Sequence, residues 1–467
     1  MSRIFSFSIY FLINAVLAQE PFSVFLTIPL FLLIMFNVSR LKSSFVTPDD
    51  MFWFLIYLFF VIRPLQAISS GFIGTEGPAS SIRYSNSEMI YAIVIVTLFA
   101  LSFSIGRTLV LRNSFADPAF TQSALSPSPA WVLVFLAINI ASFVAYVASY
   151  GLENLLASRY DLIREDISLI GPLFLAFQNL SVIFLCSFYK KYRQTNAWAT
   201  VLFALSISLV LLIVCQNPFN TPRFFLLSIW GPVAFVLVGG KVPILPFYLC
   251  CLVLLSLVFP VLSITTRVGF SSLGQISNLV SLKTFFSIPD VDAFDTLVHA
   301  VRFMDGRTLF YGQKTLAIIL FFVPRAIWPE KPIVGGLDIG AELLGIGSAG
   351  TDNLSFFVGG DFYLDFGMPG VIAGGLIGGF LFAKLRSAKF GVLFGENIVP
   401  YLMIFSLPIL VRGPLGAVLA LFTCQIISLW IFRGLFTGDR RMNGGTRGLV
   451  CRRQRLPFPR GREGPRR

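Results

Sequence analysis

Apolar residues fall in long unbroken blocks along this chain, separated by short polar joints. Twelve blocks stand out, at roughly 4–18, 22–38, 51–68, 89–111, 131–150, 169–188, 197–215, 224–239, 243–263, 368–384, 398–411 and 414–432. Continuous runs approaching twenty residues predict helices that cross hydrocarbon, whereas a membrane barrel would show short stretches of alternating polarity. The pattern predicts an all-α polytopic membrane protein of about twelve transmembrane helices. It divides the chain into a nine-span bundle (1–263), one large loop (264–367), three further spans (368–432) and a tail (433–467). One apolar run, Thr315–Val323, is too short to cross and ends at Pro324, so it predicts a re-entrant or interfacial helix inside the large loop.

The polar joints set the expected orientation. Arg40 and Lys42 follow the second block, Arg112 the fourth, Lys190, Lys191 and Arg193 the sixth, Lys241 the eighth, and Lys384, Arg386 and Lys389 the tenth. Positive charge in short loops marks the cytoplasmic side. Both termini are then cytoplasmic, and the 264–367 loop is external. A competing pattern occurs at the start. Arg3, a short apolar stretch and Val16-Leu17-Ala18 resemble a cleavable signal peptide, and either case leaves the remaining topology unchanged. No internal repeat is evident.

Composition supports this picture. The chain has 467 residues, 56% hydrophobic and 13% charged, with a mean hydropathy of +0.80, while soluble domains carry about 25% charged residues. The net charge of +13 is mostly local: eleven arginines in the tail against Asp439 and Glu463 supply nine of those charges. They predict a disordered cytosolic segment near anionic lipid rather than a nucleic-acid site, since no aromatic interleaving accompanies them. His299 is the single histidine, and the six cysteines show no Cys-x-x-Cys spacing, which argues against a metal centre.

Candidate chemistry gathers in the large loop, which holds seven Lys/Arg and ten Asp/Glu. Asp295, His299 and Arg302 share one face of a helix, where Asp295 can orient His299 as a proton carrier; the alternative is a surface helix with a routine ion pair. The block Arg325-Ala-Ile-Trp328-Pro329-Glu330-Lys331-Pro332 is stiffened by its prolines. It offers a guanidinium and an ammonium suited to phosphate beside an aromatic suited to a sugar face, or else a plain interfacial anchor. Asp361, Tyr363 and Asp365 precede the glycine-rich tenth block and admit either an acid/base role or a polar helix cap. Arg223, Arg267 and Arg412 sit at outer span edges, where ionisable groups face a cavity or a partner. Together with Arg302, Arg307, Lys314, Arg325 and Lys331 they are candidates for one external cationic pocket able to hold a diphosphate.

The Pro-Arg-x-x-Trp-Pro-x-Lys-Pro block, followed by Gly360-Asp361-Phe362-Tyr363-Leu364-Asp365-Phe366-Gly367 and a glycine-rich span, resembles the Wzy-type O-antigen polymerases, also called oligosaccharide repeat-unit polymerases. The likeness covers the predicted topology of nearly the whole chain, but specific motifs cover only about 299–380. That family more often has Glu and Asn where this chain has Asp361 and Asp365. The resemblance implies a bacterial inner-membrane glycosyltransferase that joins undecaprenyl-diphosphate-linked oligosaccharide units at the periplasmic face, without metal or other cofactor. It implies membrane lipid as surroundings, and a chain-length regulator and a flippase as partners. In this scheme His299, Asp361 and Arg325 are catalytic, and Arg223, Arg267, Arg302, Trp328, Lys331 and Arg412 bind substrate. An O-antigen ligase, a flippase or transporter of lipid-linked oligosaccharide, and a structural scaffold remain as alternatives. The near absence of charge within the spans, Arg63 and Arg107 aside, weighs against the transporter.

Overall fold

Where the apolar blocks of the sequence lie within the described residues, they fold as helices. The computed structural model describes residues 2–18, 20–69, 84–113, 128–156, 170–217, 221–254, 291–332, 339, 355–388, 392–394, 396–413 and 415–447. In chain order the helices are α1 (Ser2–Ala18), α2 (Pro21–Ser39), α3 (Pro48–Tyr57), α4 (Arg63–Ser69), α5 (Asn86–Asn113), α6 (Trp131–Tyr150), α7 (Leu152–Leu156), α8 (Ile170–Tyr192), α9 (Trp198–Cys215), α10 (Arg223–Leu237) and α11 (Ile244–Val253). They continue with α12 (Ala293–Phe303), α13 (Gln313–Ile319), α14 (Val358–Ser387), α15 (Val399–Arg412) and α16 (Leu415–Arg447). A two-stranded antiparallel hairpin, β1 (Val392–Leu393) and β2 (Glu396–Asn397), precedes α15. Among the described residues seven helices are long and apolar enough to cross a membrane, one of them the α3–α4 stretch at Pro48–Ile68.

Local chemistry sets the helix ends and breaks. The Thr47 hydroxyl accepts from Asp50 N while the Asp50 carboxylate accepts from Thr47 N, and Pro48 fills the first helical position of α3. A π-turn at Leu58–Ile62 separates α3 from α4. It lies just ahead of Pro64, whose ring clashes with the carbonyl of the residue four positions back and forces a local reset of the ladder. α14 breaks at Gly367, where φ is +66°, a region open to glycine. The stretch from Met368 onward is the predicted tenth span, and the nine residues before the break form a separate turn of helix at its head. α16 also runs past the end of its apolar block. The tail is helical as far as Arg447, where an unfolded segment was expected, and no proline interrupts it before Pro457.

Glycine lets α5 and α14 meet backbone to backbone. A Cβ at Gly375 would lie 2.6 Å from Phe99 O, and Cβ atoms at Gly379 and Gly106 would press still closer on the carbonyls of Phe103 and Leu376. Gly375 and Gly379 stand four residues apart, the small-residue spacing that brings membrane helices into contact.

Alternating helices give the bundle two chemically different ends. At one end the basic joints gather. Val46 N donates to Val242 O at 3.0 Å, Lys190 pairs with Glu396 on β2, and Arg107 and Arg386 both pair with the buried Asp49. Arg3 binds Asp50 at 2.5 Å, which ties α1 to α3. The opposite end carries α12 and α13. α12 is no surface helix: Ala293 through Ala300 and Phe303 are all buried. It plugs the end of the bundle against α5 and the π-turn, so the large loop is in part an internal element of the fold.

Candidate functional site

Four polar residues of α12 and its cap form one stripe at spacing i, i+3, i+7 and i+10, and each engages a different part of the fold. Asp292 accepts from Arg412 Nη2 of α15 at 3.3 Å. Asp295 is gripped by Arg63 of α4, with Nε 3.1 Å and Nη2 2.5 Å from Oδ2. His299 Nδ1 is hydrogen-bonded to the Tyr84 hydroxyl just ahead of α5. Arg302 donates to both oxygens of Glu88 on α5, at 2.6 Å and 2.8 Å. The same guanidinium lies over the Tyr84 ring, 4.2 Å from its centroid.

The stripe revises two sequence expectations. Asp295 was expected to orient His299, yet its carboxylate is held by Arg63 because an arginine buried among apolar helices requires a counter-charge. His299 was expected to exchange a proton near neutral pH. Its ring is buried, and burial together with the Arg302 cation pushes its pKa down from 6.5 to about 3. The imidazole is therefore neutral at physiological pH and serves Tyr84 as a hydrogen-bond partner.

A second group forms where α10 and α15 meet. The Arg412 guanidinium sits 4.7 Å from the centroid of Phe224, next to the buried Arg223 at the head of α10. Arg412 O also accepts from Phe356 N, joining the last turn of α15 to the approach to α14. Arg412 thus joins Asp292 of the α12 cap to Phe224 at the head of α10, one residue after Arg223.

The Arg/Trp/Lys elbow is built differently from the expected phosphate cradle. α13 has only seven residues and is capped at both ends by charge from elsewhere. At its start the Asp365 carboxylate accepts from Lys314 N and Thr315 N. At its close the Lys331 ammonium donates to Leu320 O, Phe321 O and Val323 O at 3.1, 3.0 and 2.9 Å. An anion at the first turn and a cation at the last oppose the helix dipole correctly. The three N–H groups of Lys331 are thereby used within the loop, and Asp365 is a cap rather than half of a catalytic pair. The Gly367 break frees carbonyls of α14 as well: Phe310 N donates to Leu364 O and Tyr311 N to Asp365 O.

Arg325 closes the elbow by donating to Lys331 O at 2.8 Å, and its side chain is otherwise exposed. Trp328 is half-buried beside it, while Leu316, Ile319, Phe322 and Ile327 turn apolar surface outward. Asp361 is fully buried on the first turns of α14, where α14 approaches α12 with Leu297 set against Gly360. Arg267 lies outside the described residues.

Sequence reasoning passed over Tyr84, Glu88 and Asp292, which are remote in the chain from their partners and carry no motif. Arg63 did carry a signal. A lone cation in an apolar run needs a partner, and Asp295 is the one the fold supplies. Among the described residues no group of three or more His, Cys, Asp or Glu is placed to hold a metal ion. Comparison of the chain with protein-family models, with curated proteins and with solved structures finds no match.

Proposed function

We propose that this chain is a metal-independent membrane glycosyltransferase that extends a glycan carried on a polyprenyl diphosphate, acting at the end of the bundle that holds α12 and α13. In the sense of the resemblance, it polymerises undecaprenyl-diphosphate-linked repeat units at the periplasmic face of a bacterial inner membrane, with twelve spans and both termini cytoplasmic. The observation that carries the reading is Arg325: an exposed guanidinium on a proline-stiffened elbow, held in place by its own loop and flanked by outward-facing apolar side chains. A cation fixed beside lipid-compatible surface suits a lipid-linked diphosphate.

The reaction breaks the bond between the anomeric carbon of the donor glycan and its phosphate oxygen, and forms a bond from that carbon to an acceptor hydroxyl oxygen. The diphosphate leaves with the bonding pair, and the hydroxyl proton passes to a protein group. Arg325 stabilises the developing negative charge, the role that preorganised cations play without a metal. Arg302 is a partly exposed guanidinium at the same end of the bundle. Glu88 occupies its fork as a carboxylate, the same planar two-point contact that a phosphate makes. Tyr84 is the partly exposed member of the Tyr84–His299 pair, so it is the member that meets an acceptor hydroxyl. Trp328 packs on sugar or on the lipid carrier. Arg63, Arg412 and Lys331 act on the fold.

The experiment is polymerisation in native membranes with Arg325→Ala and Arg325→Lys, read as the length distribution of the lipid-linked glycan. Loss of long chains in both variants at normal expression is expected, since Lys lacks the planar fork. Full chain length and rate in both would remove Arg325 from the reaction. A deletion strain that retains one capped repeat unit supports a polymerase, whereas total loss of capped product indicates a ligase.

A further inference from the structure

At the end of the bundle that gathers the basic joints, an outward-facing strip of α5 is framed by α2 and α14. The helix period fixes the frame. Ser104 of α5 donates to Asn37 Oδ1 of α2 at 2.6 Å, while Gly106 of α5 meets the Leu376 carbonyl of α14. Two residues turn a helix by about 200°, so Ile105 points midway between the two neighbours. Ile105 is exposed, and so is Leu109 one turn further on. Gly379 of α14 sits against Phe103 O and Arg107 N, so Asn37 and Gly379 touch the same turn of α5 from opposite sides.

Both sides of the frame carry the same pair of residues. Phe36 precedes Asn37 and Phe380 follows Gly379, and both rings are exposed. Each has a cation four positions on, the spacing at which helix side chains meet. Arg40 Cζ lies 3.8 Å from the Phe36 centroid and Lys384 Nζ 5.6 Å from that of Phe380. Arg40 and Lys384 are exposed, and among the described residues neither enters an ion pair. The charge behind them is also in surplus, because Arg107 and the one-third exposed Arg386 share the single carboxylate of Asp49.

A soluble anion would use these cations and gain nothing from the apolar strip between them. A neutral lipid would use the strip and gain nothing from the cations. A ligand with an acyl chain and a phosphate uses both, and basic pockets between membrane helices suit such headgroups.

We propose that the strip between α2 and α14 is a binding site for an anionic glycerophospholipid. Its acyl chain lies on Ile105 and Leu109 between Phe36 and Phe380, and its phosphate lies between Arg40 and Lys384. The site rests on the chain being embedded in a membrane and is independent of the glycosyl-transfer reading.

The test takes the purified full chain in detergent with an equimolar mixture of phosphatidylglycerol and phosphatidylethanolamine of identical acyl chains. Native mass spectrometry counts which lipid stays bound. Phosphatidylglycerol is expected to prevail by about five-fold or more, the worth of one cation near a lipid surface. Arg40→Gln with Lys384→Gln should abolish the preference. Lys191→Gln with Arg193→Gln removes two exposed cations from another joint of the same end and should leave it intact. In thermal unfolding, phosphatidylglycerol should raise the midpoint of the native chain, and inorganic phosphate in large excess should not. Equal retention of the two lipids by the native chain overturns the site. So does a preference that survives Arg40→Gln with Lys384→Gln, one lost equally in the two double variants, or a midpoint raised as far by inorganic phosphate. If the groove variant fails to fold, the native-chain ratio and midpoints decide, since they need no substitution.

Discussion

The Arg63–Asp295 pair is the most demanding contact in the α12 stripe, and breaking it has a calculable consequence. Side-chain exposures of 4% and 1% leave neither charge any access to water. Removing one partner of such a pair strands the other charge, at a cost of about 3–5 kcal/mol, whereas an exposed pair is worth about 0–1 kcal/mol. Asp295→Asn keeps the shape and removes the charge, so the perturbation is almost purely electrostatic. Unfolding by titration with a denaturing detergent in mixed micelles measures the loss. Replacing both partners, as Arg63→Met with Asp295→Leu, is expected to recover most of it, because a matched apolar pair carries no stranded charge. A single-variant cost below about 1 kcal/mol would place the pair in the exposed class and refute the argument that α12 is an internal plug. A double variant as unstable as the sum of the singles would show that the two residues do not interact.

His299 is the single histidine, so an imidazole-labelled sample gives one resonance to follow by NMR. Its pKa, lowered from 6.5 to about 3, means that the unfolded chain binds the extra proton first as pH falls. Stability from this group is present above pH 6.5 and declines toward pH 3, by up to about 1.4 kcal/mol per pH unit; titration at an ordinary imidazole pKa would contradict the burial. For α13, Asp365→Ala is expected to cost about 0.5–2 kcal/mol as a lost cap, and Lys331→Met to release the other end. Hydrogen exchange confined to 313–323 should rise in each variant, and unchanged protection there would contradict the double capping. Gly379→Val forces a branched side chain against Phe103 O and Arg107 N, so α5 and α14 must part and the detergent-unfolding midpoint should fall sharply.

Long-range order was legible in the sequence where one physical force dominates. Apolar run length located the helices, because hydrocarbon-compatible segments bury their own backbone hydrogen bonds. The basic joints at 40–42, 190–193, 241 and 384–386 lie at one end of the fold. The short run before Pro324 does contain a short helix, but it ends at Ile319 rather than at the proline. Tertiary pairing was not legible. Asp295 and His299 lie one turn apart, which suggests a local pair, yet the stronger demand came from Arg63, 232 residues away. Lys331 and Asp365 carry charges that suit substrate equally well, and only the fold shows that both are spent on the ends of α13. The tail gave charge but no signal that its first part continues α16.

The pairing of charge also narrows what the proposed chemistry requires. Arg63, Arg302 and Arg412 each hold a carboxylate, so the α12 end is an array of matched pairs rather than a cluster of naked cations. Depth separates their uses. Arg63 with Asp295 is sealed, and an anion could reach it only by unfolding the plug. Arg302 with Glu88 is partly open, with side-chain exposures of 33% and 18%. In the proposed reaction a diphosphate would exchange for Glu88 at the fork of Arg302 without moving α12, while Arg325 offers a separate exposed guanidinium. Under that proposal the Glu88 carboxylate keeps Arg302 in a two-point geometry, which lowers the ordering cost of binding phosphate. An end built only from unpaired arginines would repel itself and splay. The acids near the arginines are thus part of how the cations are kept in position, and the net negative charge of the 264–367 segment is compatible with binding an anion at two exposed points.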